Sequence, residues 1–243
     1  MASTDEARML TVTARQNLTS DVVELTLRSL DGSPLPAWKP GAHIDLRLGA
    51  DLVRQYSLIQ TDDPSTWTIA VLVEPEGRGG SKLIGETVHV GSVVEVGGPR
   101  NHFPFVTGDR YLFIAGGIGV TPLIGMCRNA QADGADWRLV YAGRNRLKMA
   151  YVDQLEAEFP DRVEIYDLSE GQLFSVEDAI SELDTDTHVY CCGPESLLDA
   201  VEDAMGAPSR LPYVHVERFR PREPAGFSEN VEFTVYAQTS DVE

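Results

Sequence analysis

The feature that most constrains the fold of this chain is a change in the spacing of its apolar segments near residue 107. Before that point, stretches of alternating apolar and polar residues follow one another closely, separated by Pro, Gly and Asp. This alternation is typical of half-buried strands. We expect strands at residues 22–28, 43–48, 53–59, 67–73 and 92–97. Six or so such strands, with one short helix over about residues 82–88, predict a small antiparallel barrel or sandwich.

After residue 107, apolar runs alternate with helix-like segments. The expected strands are residues 111–116, 137–143, 163–167, 188–193 and 213–219, and the expected helices are residues 121–132, 149–158, 175–183 and 194–205. Alternation of this kind predicts a parallel sheet with helices on both faces. The chain is therefore predicted to be a β-barrel over residues 1–107 followed by an α/β domain over residues 108–220.

The charge of the chain excludes several classes of partner. The net charge is −18, of which residues 108–243 carry −14 and residues 1–107 carry −4. An acidic surface repels phosphate backbones and anionic lipid, so we expect neither nucleic acid nor a membrane as a partner. The acidic charge is typical of a highly solvated surface, and it would also favour a partner protein with a basic patch. With only three cysteines, a disulfide framework is not expected, which indicates a cytoplasmic protein.

Two motifs fall at the carboxyl ends of predicted parallel strands, where open α/β sheets bind ligands. The first is AGGIGVTP (115–122), a glycine-rich turn whose backbone N–H groups could approach a pyrophosphate. There Thr121 is expected as the N-cap of the next helix and Pro122 as its first residue. The second motif is CCGP (191–194). Its thiols could be buried packing, or one of them could act at the ligand-binding edge; a disulfide between neighbours and a zinc site are not expected.

The first half carries two further candidate motifs. RQYSL (54–58) offers a cation, an aromatic ring and a hydroxyl in one strand, although an ordinary exposed strand has the same composition. EGRGGSK (76–82) opens the predicted short helix and could bind a phosphate, or could be a plain turn. Each motif is unspecific by itself, whereas their order along the chain is specific.

In that order, RQYS, GRGGS, GGIGVTP, CCGP and a late ERF resemble the phthalate dioxygenase reductase family of the ferredoxin-reductase superfamily. PRNHFPF (99–105) belongs to the same pattern, and the resemblance covers residues 8–220. It implies a six-stranded antiparallel flavin-binding barrel, followed by a five-stranded parallel nucleotide-binding sheet flanked by helices.

The resemblance also implies the residues of a flavin site in the barrel. By position these would be Arg54, Tyr56, Ser57, Leu58, Val71, Leu72, Val73, Gly79, Gly80 and Ser81. Tyr56 would pack on the ring system, and Ser57 would lie near flavin N5, where the hydride arrives. Val71, Leu72 and Val73 would offer backbone groups to the ring edge. Gly79, Gly80 and Ser81 would bind the phosphate.

On the nicotinamide side, the resemblance implies a second set of residues. The lining residues would be Gly117, Gly119, Thr121, Pro122, Cys192, Gly193 and Pro194. Cys192 would place its thiol near the reacting C4 carbon. Phe219 would cover the flavin face on which the nicotinamide stacks, with Glu217 as a polar neighbour.

For the cofactors, the resemblance favours FMN, with FAD as the alternative, and NADH, with NADPH as the alternative. The presence of Arg144 and Arg146 after the second strand of the α/β half would permit NADPH, because the ribose 2′ position is read there. The implied activity is an NAD(P)H-dependent flavin reductase that passes electrons to a ferredoxin domain or to an oxygenase component of a Rieske-type or haem monooxygenase system. Two alternative functions remain open: a free-standing flavin or ferric reductase, and a non-catalytic flavin- or nucleotide-binding subunit.

The tail departs from the family pattern. Relatives continue into a plant-type [2Fe–2S] ferredoxin domain held by a C-x4-C-x2-C run and a later cysteine. Residues 221–243 are expected to be a linker and the first strand of such a domain. We expect the rest of the domain to be missing because the chain is truncated; a natural protein without the iron–sulfur module is the alternative. Cys127, Cys191 and Cys192 cannot supply that ligand set, so we expect no [2Fe–2S] cluster and no other metal in this chain.

Overall fold

The structure is a computed structural model that describes residues 7–219, except residues 50–51, 62, 78, 173 and 208. The first half forms one antiparallel sheet. Its six strands are β1 (Arg8–Asn17), β2 (Val22–Ser29), β3 (Ala42–Arg47), β4 (Val53–Ser57), β5 (Trp67–Leu72) and β6 (Val93–Asn101), in the order β4-β3-β6-β1-β2-β5. The sheet curls until its two edges approach, where an isolated bridge joins Ile59 to Thr68.

Period-two alternation builds the core inside this curl. In β2, Leu25 and Leu27 are fully buried, whereas Thr26 between them is only partly covered. Helix α1 (Gly80–Thr87) adds the fully buried Ile84 to the same core. Because burying a leucine or isoleucine side chain stabilises a fold by about 2 kcal/mol, these residues fix which face of each strand points inward.

The second half is a parallel sheet with helices on both faces. Its strands are β7 (Arg110–Gly116), β8 (Asp136–Gly143), β9 (Val163–Asp167), β10 (His188–Cys192) and β11 (Val214–Glu217), and its helices are α2 (Val120–Ala132), α3 (Val152–Glu158), α4 (Val176–Ser181) and α5 (Glu195–Ala204). Phe113 packs in the core with α2 and α3, and Ile114 packs in the core with α4 and α5. The strand order is β11-β10-β7-β8-β9. The chain order therefore reverses between β7 and β10, which is the switch point of the sheet.

Residues 102–109 connect the two sheets, and polar contacts hold the halves together. The Tyr151 hydroxyl, just before α3, donates to Glu24 Oε2 of β2 at 2.6 Å. Lys148 Nζ lies 3.2 Å from Asp21 Oδ2, just before β2. These contacts join β2 of the curled sheet to the segment that leads into α3. The carboxyl edge of the parallel sheet is therefore held against the curled sheet.

The predicted architecture is confirmed, and the predicted strands lie within a few residues of the observed ones. The strand predicted at residues 163–167 is β9, with the same bounds. The first half is one curled sheet rather than a sandwich. Its sixth strand, β1, is absent from the strands predicted from the sequence, and its pairing with β2 contains a bulge between Val12 and Ala14. The predicted linker and strand over residues 221–243 lie outside the described residues. Among the helices that are described, none is long and apolar enough to cross a bilayer.

Candidate active site

The loops that follow β7 and β10 interlock at the switch point. An ideal Cβ placed on Gly119 would lie 2.1 Å from the carbonyl oxygen of Cys192, and one placed on Gly193 would lie 2.9 Å from the Cα of Gly116. Gly117 has a φ of 55°, a left-handed conformation that favours glycine. The glycine-rich turn and the CCGP loop thus form one continuous backbone surface at the carboxyl edge of the sheet.

The start of α2 differs from the prediction. A 3₁₀ turn, Gly117–Gly119, leads directly into α2, whose first residue is Val120. The Thr121 hydroxyl donates to the Ile118 carbonyl at 3.0 Å and accepts no N–H of the helix. The expected N-cap role of Thr121, with Pro122 as the first helical residue, is therefore wrong. The 3₁₀ turn starts the hydrogen-bonding ladder before either residue.

Strand register places two predicted residues side by side. Ala115, Cys192 and Glu217 are partners across β7, β10 and β11. Residues in register share a face, so the Cys192 and Glu217 side chains lie on the face covered by α2. Cys191 points to the opposite face and packs in the core against α5. Both cysteines are free and fully buried.

The pKa values of these groups follow from burial. Burial raises the pKa of the Cys191 thiol to about 12 and that of the Cys192 thiol well above its usual range, so both thiols are neutral. Burial also raises the pKa of Glu217 to about 7. Glu217 Oε2 is buried and has no hydrogen-bond partner among the described residues. This side of the site therefore carries a neutral thiol beside a carboxyl group that can hold a proton near neutral pH.

Phe219 follows two residues after Glu217, beyond the end of β11. Its side chain is 46% exposed, which is unusual for a large aromatic ring. It lies at the same carboxyl edge as the CCGP loop, because β11 is parallel to β10 and pairs with it. The position is compatible with an aromatic ring that a bound ligand covers.

One face of the curled sheet, called the wall below, carries Ser57 and His43, each with a buried polar atom that has no hydrogen-bond partner among the described residues. Ser57, the last residue of β4, is paired with His43 of β3 in antiparallel register, so their side chains are neighbours on one face. Ser57 Oγ and His43 Nε2 are both buried, and neither has a hydrogen-bond partner within the described residues. Burial, assisted by the nearby His102 and Arg100, lowers the pKa of His43, so its imidazole is neutral. His43 was not singled out from the sequence, although the spacing of the two predicted strands places it opposite Ser57.

A cradle for an anion lies at the start of α1. Gly79 has a φ of 84°, and Gly80 begins the helix. A Cβ on Gly80 would lie 2.7 Å from the Arg54 side chain, so Arg54 covers the helix N-terminus. The Ser81 hydroxyl accepts the Glu74 N–H at 3.1 Å and retains its proton for a ligand. A guanidinium group over backbone N–H groups of a helix start suits a phosphate.

Two further residues predicted for the flavin site, Tyr56 and Leu58, pack with the core of the curled sheet. Tyr56 is partly buried against the sheet core, and burial raises its pKa to about 12, so its hydroxyl stays protonated. Leu58 is buried, and its N–H is bonded to the Ala42 carbonyl, so it contributes packing rather than a free amide.

Strand β5 is at the edge of the curled sheet, and its last residues face the α/β half. The Val73 N–H donates to the Asp21 carbonyl at 2.7 Å, which occupies one of the amides expected to face the ring. Val71 is buried two residues earlier and has the same orientation towards β2. Because amides alternate along a strand, the Leu72 amide points to the free edge. Leu72 and Ile118 of the 3₁₀ turn pack in one hydrophobic cluster, which brings the two halves of the site together.

The arginines after β8 are not equivalent. Arg144 is exposed at the carboxyl edge. Arg146 is held by Asp153 and Glu156, with nitrogen–oxygen distances of 2.9 Å and 2.5 Å. Its guanidinium group is therefore neutralised by carboxylates of the same segment.

The residues present fit a flavin and a dinucleotide. Three buried polar atoms, on Ser57, His43 and Glu217, have no hydrogen-bond partner among the residues that the structure describes, and buried polar atoms are normally hydrogen-bonded. A ligand with several polar atoms between the wall and the switch point would supply the missing partners. In the α/β half, Cys192 and Glu217 lie on one face, and Cys191 packs on the opposite face, as expected for a buried packing residue. In the curled sheet, the amides of Val71 and Val73 point towards β2 rather than to the free edge.

Comparison with known proteins identifies relatives for the whole length of the chain. The model of the family described as dimethylamine monooxygenase subunit DmmA-like, N-terminal domain, matches residues 102–208. The carnitine monooxygenase reductase subunit of Acinetobacter baumannii is 34% identical over 246 residues, which cover 100% of this chain and 76% of that protein. The phthalate 4,5-dioxygenase oxygenase reductase subunit of Pseudomonas putida is 32% identical over 244 residues, covering 96% and 74%.

Solved structures give the same result. Phthalate dioxygenase reductase, described as a modular structure for electron transfer from pyridine nucleotides to [2Fe–2S], superimposes with a TM-score of 0.81 at 32% identity, covering 87% of this chain and 67% of that one. An intact type IV self-sufficient cytochrome P450 monooxygenase gives a TM-score of 0.85 at 40% identity, covering 89% of this chain and only 28% of that one. The chain belongs to the phthalate dioxygenase reductase family and is an oxidoreductase, a reductase of the kind that serves oxygenase systems.

Proposed function

We propose that this chain binds FMN and NADH at the cleft between the curled sheet and the switch point, and that it passes electrons from NADH to an iron–sulfur or oxygenase partner. The observation that carries the proposal is the set of unpartnered buried atoms on Ser57, His43 and Glu217 beside two interlocked glycine loops. A bound flavin would supply the chemistry, because it accepts a hydride and releases electrons singly.

In the flavin half, the side chains bind and orient. Tyr56 packs against the ring system, and Ser57 donates a hydrogen bond to the edge that receives the hydride. The Leu72 amide at the free edge of β5 is the backbone donor left available to the ring, since the Val73 amide is occupied. Arg54 and the backbone of Gly80 hold the phosphate. A cradle of this kind fits the terminal phosphate of FMN.

In the nucleotide half, the interlocked loops set the distance between the two ligands. The backbone from Gly117 to Gly119 and the loop from Cys192 to Pro194 form the surface on which the nicotinamide ring lies. The neutral Cys192 thiol and the carboxyl group of Glu217 face it from β10 and β11. Approximation of two stacked rings, rather than acid–base catalysis, provides the rate enhancement. Phe219 would cover the flavin face on which the nicotinamide would stack.

We propose NADH rather than NADPH as the donor. A 2′-phosphate requires uncompensated positive charge beside the ribose. Arg146 is neutralised by Asp153 and Glu156, so of the two arginines in this segment Arg144 is the one left for a 2′-phosphate. The expected result is a kcat/KM for NADH that exceeds that for NADPH. A preference for NADPH would contradict this assignment.

The acceptor is proposed to be a ferredoxin domain or an oxygenase component. The α/β half carries most of the excess negative charge of the chain. A partner with a basic patch would therefore be attracted, and its association rate would fall as ionic strength rises. This choice is supported by the relatives, which are reductase subunits of monooxygenase and dioxygenase systems.

The experiment is reconstitution of the purified chain with FMN or FAD. Quenching of flavin fluorescence measures binding, and chromatography of the released flavin identifies the form retained. The chain with bound FMN is expected to reduce ferricyanide at the expense of NADH. If neither flavin binds, or if the loaded protein does not oxidise NADH, the proposed function is wrong.

A further inference from the structure

One arginine joins the segment beyond β11 to helix α5. Arg218 Nε lies 3.0 Å from Glu195 Oε1, and its Nη2 lies 2.7 Å from Glu202 Oε2. The same Nη2 lies 4.0 Å from Asp199 Oδ1. The Arg218 side chain is 21% exposed, so these contacts are shielded more than an ordinary surface ion pair.

The three carboxylates form a stripe on α5. Glu195, Asp199 and Glu202 are spaced at i, i+4 and i+7, which places them on one face of a helix. Like charges at this spacing destabilise a helix. A guanidinium group that spans the stripe compensates this repulsion, and its planar fork binds two carboxylates with different nitrogens. The pKa of Arg218 is raised by Glu202 and Glu195, so the charge is permanent.

The position of Arg218 in the chain gives the contact its significance. Glu217 ends β11 and lies on the face of the candidate active site, whereas Arg218, the next residue, contacts α5. Phe219 follows Arg218 directly and is half exposed. On the helix, Glu195 follows Pro194 directly, so one end of the ion-pair cluster is attached to the CCGP loop.

We propose that Arg218 is a positioning residue that holds Glu217 and Phe219 in register with the CCGP loop. This inference rests on the proposed function, because it concerns the site at which the nicotinamide stacks. The segment after Glu217 has left the sheet, and Phe219 is half exposed. The ion pairs to α5 therefore hold it at the point where backbone hydrogen bonds with β10 have ended.

The test uses the full chain with two substitutions and one matched control. Arg218→Ala removes the cluster, and Arg218→Lys keeps the charge but cannot place separate nitrogens on Glu195 and Glu202. Arg110→Ala is the control, because Arg110 also pairs with two carboxylates, Asp184 and Asp186, at the opposite, amino-terminal edge of the parallel sheet.

The first measurement needs no cofactor. Cys191 and Cys192 are fully buried, so they react slowly with dithionitrobenzoate while the CCGP loop is held in place. Mass spectrometry of labelled peptides separates them from Cys127 in α2, which serves as the internal reference. Arg218→Ala is expected to accelerate labelling of the CCGP peptide by about tenfold and to leave Cys127 unchanged. Arg110→Ala is expected to change neither.

The second measurement is anaerobic bleaching of FMN-loaded protein by NADH. Arg218→Ala is expected to lower the limiting rate by about tenfold or more while FMN affinity stays within about twofold of the parent chain. Arg218→Lys is expected to recover part of the rate. If Arg218→Ala does not fold, Arg218→Lys alone must still bleach more slowly than the parent.

The outcomes separate this inference from the proposed function. Equal labelling and equal bleaching in the parent and the Arg218 variants would overturn the positioning role, as would an equal loss in Arg110→Ala. A parent chain that binds no flavin would refute the proposed function, whereas the labelling result would still decide whether Arg218 holds the loop.

Discussion

Replacement of Gly119 by alanine tests the interlocked loops directly. Gly119 has φ −62° and ψ −7°, a conformation open to any residue, so alanine adds no backbone strain. The added Cβ would lie 2.1 Å from the Cys192 carbonyl oxygen, whereas ordinary contact begins at 3.4 Å. The two loops must therefore separate by about 1.3 Å, the difference between these distances. We expect a loss of stability of about 1–3 kcal/mol, typical of overpacking.

The larger effect is expected on electron transfer from NADH. A displacement of about 1 Å between reacting groups costs about 100-fold in rate. Anaerobic stopped-flow of the FMN-loaded variant should therefore show bleaching about 100-fold slower than in the parent, with FMN affinity retained because the flavin cradle is on the other half. Gly97→Ala is the control, because its Cβ would meet nothing closer than 3.6 Å. Bleaching by Gly119→Ala at the parent rate would refute the role of the interlocked loops.

Three further predictions concern single side chains. Burial raises the pKa of Glu217 from its ordinary 4.5 to about 7, so the folded chain holds this proton more tightly than the unfolded chain and stability falls as pH rises from 4.5 to above 7. Denaturant titrations should show that Glu217→Gln lacks this loss, which amounts to about 3 kcal/mol at most; parallel pH profiles for the two chains would contradict the assignment. Ser57→Ala should slow flavin reduction far more than it weakens FMN binding, as measured by stopped-flow and fluorescence titration, and an unchanged reduction rate would place Ser57 away from the hydride path. Cys191→Ala should leave turnover with NADH nearly unchanged, whereas Cys192→Ala should lower it; the reverse order would show that the wrong thiol faces the nicotinamide.

The fold was predictable because each half has its own hydrophobic period. Apolar residues at every second position gave the strands of the curled sheet, and continuous apolar runs such as residues 188–193 gave the buried parallel strands. β1 was not located, because its apolar alternation covers only Leu10, Val12 and Ala14 and residues 15–17 are all polar. The start of α2 was misplaced at Thr121, because a Thr-Pro pair has the same sequence pattern whether it caps a helix or follows a 3₁₀ turn.

The candidate site was predictable only where a motif is local in sequence. The glycines around residue 119 and the CCGP loop were recognised, and their contact explains why glycine stands at Gly119 and Gly193. His43 and the cluster around Arg218 were missed, because their importance arises from pairing between distant segments. His43 becomes notable only through the antiparallel register that places it opposite Ser57. Register of this kind is a tertiary property, and it cannot be read from the composition of either strand.

The most direct measurement is an anaerobic titration of the FMN-loaded chain with NADH, followed by visible absorbance. The cleft between the Ser57 wall and the Cys192 loop is expected to bring the two rings together, so about one equivalent of NADH should bleach the flavin. The proposed function predicts this bleaching. A flavin that stays oxidised in the presence of excess NADH would contradict it.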